Sequence, residues 1–269
     1  RWPDSAETSV RLLRALSSGR RSFQGAPWWV STPEMQRRFL AWMLTRRGHL
    51  HEAYALAPAY VIRFSGNRGN PYVTLALLGG IPPETAAATL RSALDSLSPA
   101  TLRFINAVVP WWFAERDTAS LLAFIRKTDS LALGAADPGL RALAPYSAAH
   151  ARAYVTLLRR DSTTALAAFA ALPDSVCILT ACEYWKLTQA RLLAAVGRDR
   201  EAGAILDRWK GQNPLSHLEA ARIAERLGDR DRAIRRYQYV IDVWRHADPV
   251  LQGYVAEAKK GLERLVGEQ

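Results

Sequence analysis

The chain has 269 residues, of which 49% are hydrophobic and 23% charged, and its mean hydropathy is −0.11. This composition is typical of an ordered globular protein and excludes an intrinsically disordered one, which would contain fewer apolar residues. No stretch approaches the ~20 uninterrupted apolar residues of a membrane-spanning helix, so we expect no span in this segment. The first 16 residues alternate charged and apolar side chains, unlike a signal peptide, and the first residue is Arg1. We therefore expect a piece of a longer protein.

The charge balance is strongly basic. The formal net charge is +11, from 36 lysines and arginines against 25 acidic residues, and only five of the basic residues are lysines. Arginine forms forked hydrogen bonds with carboxylates and phosphates, so this balance favours acidic partners. A GC-rich genome, whose codons favour arginine and alanine, would produce the same composition, and both explanations stay open. The positive charges are scattered and form no run typical of a nucleic-acid-binding tail.

Five dipeptides along the chain have the form of helix starts. Each places a residue that can cap a helix directly before a proline, which loses nothing at the first helical position. The dipeptides are Thr32-Pro33, Ser98-Pro99, Asp137-Pro138, Asn213-Pro214 and Asp248-Pro249. Apolar residues with a helical period follow them, and alternating strand patterns are absent. The sequence therefore predicts an all-α protein.

Alanine pairs twelve residues apart predict helical hairpins. In three pairs a glycine stands five residues before the second alanine, where it can adopt the left-handed conformation that ends a helix. The pairs are Ala41/Ala53, Ala153/Ala165, Ala190/Ala202 and Ala221/Ala233, and the glycines are Gly48, Gly197 and Gly228. Small residues allow the two helices of a hairpin to approach closely. Between these pairs the pattern predicts further helices at roughly 82–97, 98–115 and 118–130, and a polar-faced capping helix follows Asp248.

Residues 221–237 resemble the tetratricopeptide repeat. Ala221, Gly228, Ala233 and Tyr237 match the small residue, turn glycine, second small residue and aromatic residue of that family in order. Residues 190–206 and 153–169 resemble it too, and residues 41–57 form a weaker copy, although all four lack the family's early tryptophan. The resemblance implies a right-handed α-solenoid of stacked antiparallel helix hairpins with a C-terminal capping helix. It further implies one continuous solenoid in two regions, 1–146 with degenerate hairpins and 147–269 with the clearer repeats and the cap.

Four stretches, 170–175, 197–202, 244–249 and 254–258, are similar to the helical C-terminal region of large bacterial serine/threonine kinases and of some multidomain transcriptional regulators. This resemblance implies a regulatory or sensing module whose parent chain carries catalysis or DNA binding elsewhere. A kinase tail of this type would place the module outside the cytoplasm, beyond a membrane span. A transcriptional regulator would place it in the cytoplasm.

The sequence contains no recognisable catalytic or metal-binding motif. A Walker A sequence, a GxSxG elbow, an HExxH helix, an EF-hand loop and the kinase motifs are all absent. We therefore expect no catalytic residue, no cofactor and no metal site in this segment. Cys177 and Cys182 are either inert, partly buried thiols or a local disulfide formed in an oxidising compartment. Asp161, Asp199 and Asp229 follow hairpin turns, where helix capping explains them better than acid–base catalysis.

Tryptophan pairs occur twice beside a proline, at Trp28-Trp29 and at Trp111-Trp112. Such pairs either fill gaps between helices or form an aromatic wall of a binding surface, and core packing is the preferred interpretation.

The repeat resemblance also implies a binding groove, because the first helix of each hairpin lines the concave face of such a solenoid. The positions that correspond to this face carry arginines and aromatic residues. They are Arg38, Trp42, Arg46, His150, Tyr154, Tyr184, Arg191, Arg222 and Arg226. This mixture suits an extended peptide that is acidic or carries aromatic side chains. A solvated helix face in any arginine-rich protein would look the same.

Three functions remain from the sequence. A non-catalytic module for protein interaction or sensing is preferred, since it accounts for the repeats, the cap and the missing motifs. A helical-repeat nucleic-acid-binding module is the alternative, although the scattered acidic residues argue against it. An enzyme on a helical scaffold is the third, and it would need a cluster of titratable groups that the sequence does not reveal.

Overall fold

The computed structural model describes residues 33–56, 71–176, 179–208 and 213–267, together with Thr8, Val10, Arg11, Arg14 and Ala15. In chain order the first helices are α1 (Pro33–Arg47), α2 (Leu50–Leu56), α3 (Pro71–Leu77), α4 (Pro83–Ser92), α5 (Leu102–Ile105), α6 (Val109–Ala114) and α7 (Thr118–Leu133). They are followed by α8 (Pro138–Leu158), α9 (Ser162–Ala170), α10 (Leu179–Ala195), α11 (Asp199–Arg208), α12 (Pro214–Arg226), α13 (Arg230–Val243) and α14 (Gln252–Gly267). Within these ranges there is no strand, which confirms the all-α prediction.

Short 3₁₀ segments complete the architecture at Ala93–Ser96, Asn106–Val108, Asp174–Val176 and Pro249–Leu251. The three helices predicted in the middle of the chain are therefore present, although the second is divided into α5, a 3₁₀ turn and α6. The boundary expected between residues 146 and 147 falls inside α8. Of the helices that the structure describes, none is long and apolar enough to cross a membrane.

Six tight turns join the helices in pairs, and each turn contains a residue with positive φ. These residues are Gly48 (φ 79°), Gly79 (76°), Arg116 (55°), Arg160 (64°), Gly197 (76°) and Gly228 (72°). The left-handed glycines predicted at three of these turns are confirmed. Arg160 adopts the same conformation where the repeat resemblance expects a glycine. The turns at Gly79 and Arg116 define two further helix pairs, α3/α4 and α6/α7, for which the sequence carries no alanine signature.

The alanine pairs lie where the two helices of a hairpin pack together. All eight alanines are fully buried, which supports the hairpin interpretation. In the α6/α7 pair the residues at the same distances from the turn are Val109 and Leu121, and both are also fully buried. The middle hairpin therefore keeps the buried contact but fills it with larger side chains.

Four of the eight predicted helix caps are confirmed. The side chains of Asp137 and Asn213 accept hydrogen bonds from backbone N–H groups in the first turns of α8 and α12. Asp161 and Asp229 cap α9 and α13 in the same way. Thr32 lies outside the described residues.

Two predicted caps behave differently. Helix α5 begins four residues after Ser98, at Leu102, and no side chain caps it. The carboxylate of Asp248 makes no hydrogen bond to the 3₁₀ segment that follows it. It accepts instead from the backbone N–H of His51 at 2.8 Å, in the first turn of α2. This cap is supplied from 197 residues away, which no local pattern predicts.

The first described hairpin packs against the C-terminal helices, and we call this the closing contact, between residues 46–51 and 244–251. The backbone N–H of Asp248 donates to the carbonyl oxygen of Gly48 at 2.9 Å, and the Trp244 indole N–H donates to the carbonyl oxygen of Arg46 at 3.2 Å. A Cβ atom added at Gly48 would lie 2.5 Å from the Cβ of Ala247. In an open solenoid each repeat contacts only its neighbours. Here the first described hairpin also contacts residues 244–251, which follow the last hairpin and lie 197 or 198 positions further along the chain.

Helix α14 lies where the sequence predicts a helix with a polar face, and it has one buried and one exposed side. Val255, Ala258 and Leu265 are buried, whereas Lys259 and Lys260 are exposed. This division of apolar and charged residues is that of an amphipathic helix that packs on one side.

Candidate binding surface

His150 and Tyr154, two of the predicted groove residues, lie in an aromatic core between α6, α8, α9 and α10. Both are fully buried. The Tyr154 ring packs against His150 at a centroid distance of 5.2 Å, and against Phe113 and Phe169 at 4.7 Å and 5.0 Å. Phe169 in turn stacks on Trp185. A partner that docks on the surface of this fold does not reach these two side chains, so they belong to the core.

Burial also determines the charge of His150. Its Nδ1 atom lies 3.0 Å from the side-chain oxygen of Asn106, which is likewise fully buried. Removal from water disfavours the imidazolium and lowers the pKa of His150 to about 3. The ring is therefore neutral at physiological pH, and we assign its Nδ1 proton to the hydrogen bond with Asn106, because the amide oxygen can only accept.

Tyr184 occupies the first turns of α10 and is almost completely buried, with 8% of its surface exposed. Desolvation raises the pKa of its hydroxyl to about 12. Like His150 and Tyr154, this side chain faces inward, so its contribution to a binding surface in this conformation is small.

Of the three predicted residues of α1, Arg46 belongs to the closing contact. Arg38 and Trp42 are half-buried, and the guanidinium of Arg46 lies 5.5 Å from the centroid of the Trp42 ring. Arg46 also donates to both carboxylate oxygens of Glu183, at 2.8 and 2.9 Å. Only 14% of the Arg46 side chain and 10% of the Glu183 side chain are exposed. This ion pair links α1 to α10 across 137 residues.

Three predicted arginines, Arg191, Arg222 and Arg226, lie on α10 and α12. Arg191 and Arg222 share the carboxylate of Glu219, at 3.3 Å and 2.8 Å. Arg222 forms a second, bidentate pair with Glu257 of α14, with N···O distances of 2.6 and 2.7 Å. We call the four residues Arg191, Glu219, Arg222 and Glu257 the arginine–carboxylate row. It connects α10, α12 and α14, the successive helices of one face.

Arg226 extends this face toward α11. Its guanidinium donates to both oxygens of Asp199, and these hydrogen bonds hold the pKa of Asp199 below its ordinary value. Asp199 thus pairs with Arg226 and is not the capping residue that the sequence suggested. On Arg222, the hydrogen bonds to Glu257 raise the guanidinium pKa, so its charge is fixed at every accessible pH.

The face is therefore locally neutral. Three arginines meet three carboxylates, and about half of the Arg191 and Arg226 side chains is exposed. The carboxylates are more buried than the arginines, since 8% of the Glu219 side chain and 18% of the Asp199 side chain are exposed. Glu219 and Asp199 therefore need their arginine partners, and a further carboxylate has to approach the exposed side of a guanidinium that is already paired.

The acidic partners Glu183, Glu219 and Glu257 were not predicted from the sequence. Only Glu219 and Arg222, three residues apart on one helix, carry a local signal for pairing. The other three pairs join residues that are 28, 35 and 137 positions apart, and they depend on which helices pack together.

Other candidate sites have structural roles. Trp111 and Trp112 are buried, at 2% and 0% exposure, which confirms core packing for that pair, whereas Trp28 and Trp29 lie outside the described residues. The imidazole of His51 lies 2.7 Å from the Asp248 carboxylate. Nowhere in the described ranges do three His, Cys, Asp or Glu side chains form a group that could hold a metal ion.

Cys182, in the second turn of α10, is disulfide-bonded and fully buried. No free cysteine is present among the residues that the structure describes. Cys177, the only other cysteine of the sequence, lies outside them. Of the two alternatives for the cysteines, the structure favours the disulfide.

Comparison with known proteins gives no relative for this chain. No family model matches it, and no curated protein and no solved structure matches it at a significant level. Function therefore has to be inferred from the surface itself.

Proposed function

We propose that this chain is a non-catalytic module for protein interaction or sensing, built from consecutive tetratricopeptide-like hairpins in a bacterial signalling protein. Its partner is a peptide or protein segment that carries carboxylates. The proposal follows the resemblance to the C-terminal regions of bacterial serine/threonine kinases and transcriptional regulators, in which the catalytic or DNA-binding domain lies elsewhere in the parent chain.

The arginine–carboxylate row is the observation that carries this proposal. It places Arg191 and Arg222 on one face of successive helices, with Arg226 one turn further along α12. Half-exposed guanidinium groups present forked donors that recognise carboxylates in a bidentate geometry. A series of such forks can pair with successive acidic side chains of an extended peptide.

The internal carboxylates determine how such a peptide would bind. Its carboxylates would accept from the exposed guanidinium N–H groups of Arg191 and Arg226, while the buried Glu219 and Asp199 stay paired. Because each arginine already has an internal partner, the added ion pair is weak, and affinity comes from the apolar surface that the peptide buries beside it. A segment that alternates acidic and apolar or aromatic residues therefore fits better than a purely acidic one.

A nucleic acid is the alternative partner, based on the net charge of +11. The row argues against it at this surface, because every phosphate that approached Arg191 or Arg222 would also meet Glu219 or Glu257. Each such contact adds repulsion to the attraction on which nucleic-acid binding depends.

The disulfide at Cys182 bears on the compartment. Structural disulfides persist in oxidising surroundings and are rare in the reducing cytosol. It supports an extracytoplasmic position for the module, as in a receptor kinase whose sensing arm lies beyond a membrane span, over a cytoplasmic position in a transcriptional regulator.

Binding of a fluorescent acidic–aromatic peptide, acetyl-Glu-Trp-Glu-Phe-Glu-amide, tests the proposal by anisotropy. Arg191→Gln combined with Arg226→Gln is expected to weaken binding by at least about tenfold, since two charge-assisted contacts are lost. Arg222 is left intact because it holds two carboxylates in place. Arg235→Gln, at an exposed site on α13, is the matched control and should bind like the unchanged protein.

Two outcomes would contradict the proposal. Equal affinity of the double variant and the control would remove the peptide from this face. Tighter binding of a single-stranded oligonucleotide than of the peptide, with an affinity that falls steeply with salt, would support the nucleic-acid alternative.

A further inference from the structure

A cleft lies on another part of the surface, between α9 and α11 and above α10. Its volume is about 440 Å³, within the range of ordinary ligand sites. Most of its lining is apolar. The apolar residues are Leu166, Ala167, Ala170, Leu193, Ala204 and Ile205.

The cleft lies where the hydrophobic core divides into two clusters. Phe169 of α9 packs into the main core cluster, whereas Leu193 and Leu206 belong to a smaller cluster under α11. Leu166 is only partly buried, and Ala167 and Ala204 are exposed. The small side chains of α9 and α11 leave a space between the two helices that larger residues would have filled.

Gln189 introduces a polar group into this apolar lining. It is 94% buried, since 6% of its surface is exposed, and its side-chain oxygen has no hydrogen-bond partner. A buried acceptor without a donor destabilises the folded protein. The oxygen is covered in this conformation, but Gln189 lines the cleft, so a turn of its side chain would bring the oxygen to a donor on a molecule bound there.

The rim carries a net positive charge. Arg198 and Glu201 form a bidentate pair with both N···O distances at 2.6 Å. Arg208 also lines the cleft and is exposed, which leaves two positive charges against one negative. This balance favours a ligand with a carboxylate near Arg208.

This cleft is separate from the arginine–carboxylate row. Gln189 and Arg191 are two residues apart on α10, so their side chains point in directions roughly 200° apart around the helix. The two surfaces can therefore be changed independently, and binding at the cleft does not depend on the proposed function of the row.

We propose that the cleft binds a peptide segment in which an aliphatic residue is followed by an acidic one. The aliphatic side chain lies on the floor formed by Leu166, Leu193 and Ile205. A backbone N–H of the segment donates to the side-chain oxygen of Gln189, and the acidic side chain pairs with Arg208. One short segment thereby supplies the apolar group, the donor and the charge that the cleft lacks.

Titration with acetyl-Ala-Leu-Glu-Ala-amide, followed by ¹H–¹⁵N NMR, tests this site. Amide signals of α9 and α11 are expected to shift with a saturable dependence on concentration. Replacing the leucine of the peptide by serine should weaken binding by at least about tenfold, and replacing its glutamate by glutamine by about threefold. Equal binding of all three peptides would overturn the proposal.

Variants of the protein provide the second arm. Ala167→Trp fills the cleft from an exposed position and should abolish binding, whereas Ala256→Trp, at an exposed position on α14, is the matched control. Gln189→Met removes the unpaired oxygen, so we expect an equal or higher melting temperature together with about fivefold weaker binding.

A purely structural Gln189 would leave binding unchanged in Gln189→Met, and this result would overturn the role given to its oxygen. Unaltered binding in Ala167→Trp would overturn the site. The Arg191→Gln, Arg226→Gln protein should bind the Leu-Glu peptide normally, which separates this site from the arginine–carboxylate row. Lost binding in that protein would contradict their independence.

Discussion

The turns at Gly48 and Gly228 have nearly the same backbone but very different surroundings. Their φ angles are 79° and 72°, and each follows a first helix whose buried alanine pairs with one in the second helix. No atom lies within 4 Å of a Cβ placed at Gly228, whereas at Gly48 such an atom would meet Ala247, Leu251 and Trp244. The same local sequence signal therefore marks an isolated turn in one hairpin and a long-range contact in the other.

The difference teaches that a hairpin signature specifies a turn but not what packs on it. The Gly228 turn needs glycine for its backbone conformation alone. The Gly48 turn needs it for the conformation and for the approach of residues 244–251. Substitutions that separate these two requirements show how much of the stability depends on the closing contact.

The largest effect is expected from Gly48→Ala, compared with Gly228→Ala. Both place a Cβ in the left-handed region, at a cost of about 1–2 kcal/mol. At Gly48 the overlap with Ala247 adds about 1–3 kcal/mol, because the packed helices have to separate. Denaturant unfolding of the two variants measures the difference directly. Equal losses would show that the closing contact contributes nothing to stability.

Arg46→Ala tests the ion pair that accompanies the closing contact. The change leaves Glu183 without its partner while it is only 8% exposed, so we expect a loss of about 3 kcal/mol. Arg245→Ala breaks an exposed pair with Asp242 and should stay within about 0.5 kcal/mol of the unchanged protein. If Arg46→Ala lost as little stability as Arg245→Ala, the prediction would be wrong. Glu183 would then be hydrated in the variant because α1 had moved away from α10.

The pH dependence of stability separates the contribution of the aromatic core around His150 from that of the closing contact. An unfolded chain protonates His150 below about pH 6.5, but the folded chain does so only near a pKa of about 3. Unfolding therefore takes up a proton within this window, and stability falls by about 1.4 kcal/mol for each pH unit below 6.5. Chemical denaturation of His150→Gln between pH 7 and pH 4 should show a flatter pH dependence. An unchanged slope would contradict a neutral, buried His150.

The smallest effect concerns the two kinds of helix cap. Asp248→Ala and Asp229→Ala each remove a capping carboxylate and should cost about 1 kcal/mol. Hydrogen exchange should increase in α2 for the first variant and in α13 for the second. If hydrogen exchange in Asp248→Ala increased only after residue 248, this would contradict capping of α2 across the closing contact.

Asp248 also titrates in a different window from His150. Burial raises its pKa, but the hydrogen bonds from the backbone and imidazole of His51 outweigh this and lower it below the ordinary value of 3.8. The stability that it contributes is present above pH 3.8 and is lost as the pH falls through the lower folded value. Asp248→Ala should therefore leave the slope between pH 6.5 and pH 4 unchanged.

Much of the fold could be predicted from the sequence because its signals are local. The caps at Asp137 and Asn213 and the turns at Gly197 and Gly228 depend on atoms within a few residues of each other. The hairpin at Arg116 had no signature, since Val109 and Leu121 fill the positions that alanines occupy elsewhere. Only the burial of these two residues shows the equivalence.

The candidate site could be predicted less well. Helical periodicity places Arg191 and Arg222 on helices, but it does not tell that Glu219 and Glu257 neutralise them. His150 and Tyr154 occupy expected groove positions, yet their rings are buried in the core, because α6 and α9 pack over the face on which they lie. Periodicity shows that a helix has a buried face, but the packing of the neighbouring helices decides which residues are covered.

By itself the sequence determined the helices, four of their caps and three of the left-handed turns, since each depends on backbone conformation and on hydrogen bonds within about four residues. Only the tertiary structure decided that residues 46–51 meet residues 244–251, that arginines pair with distant carboxylates, and that small side chains on α9 and α11 leave a cleft. These features depend on which surfaces pack together. Packing sums many weak contacts between residues far apart in the chain, so no single local pattern encodes it.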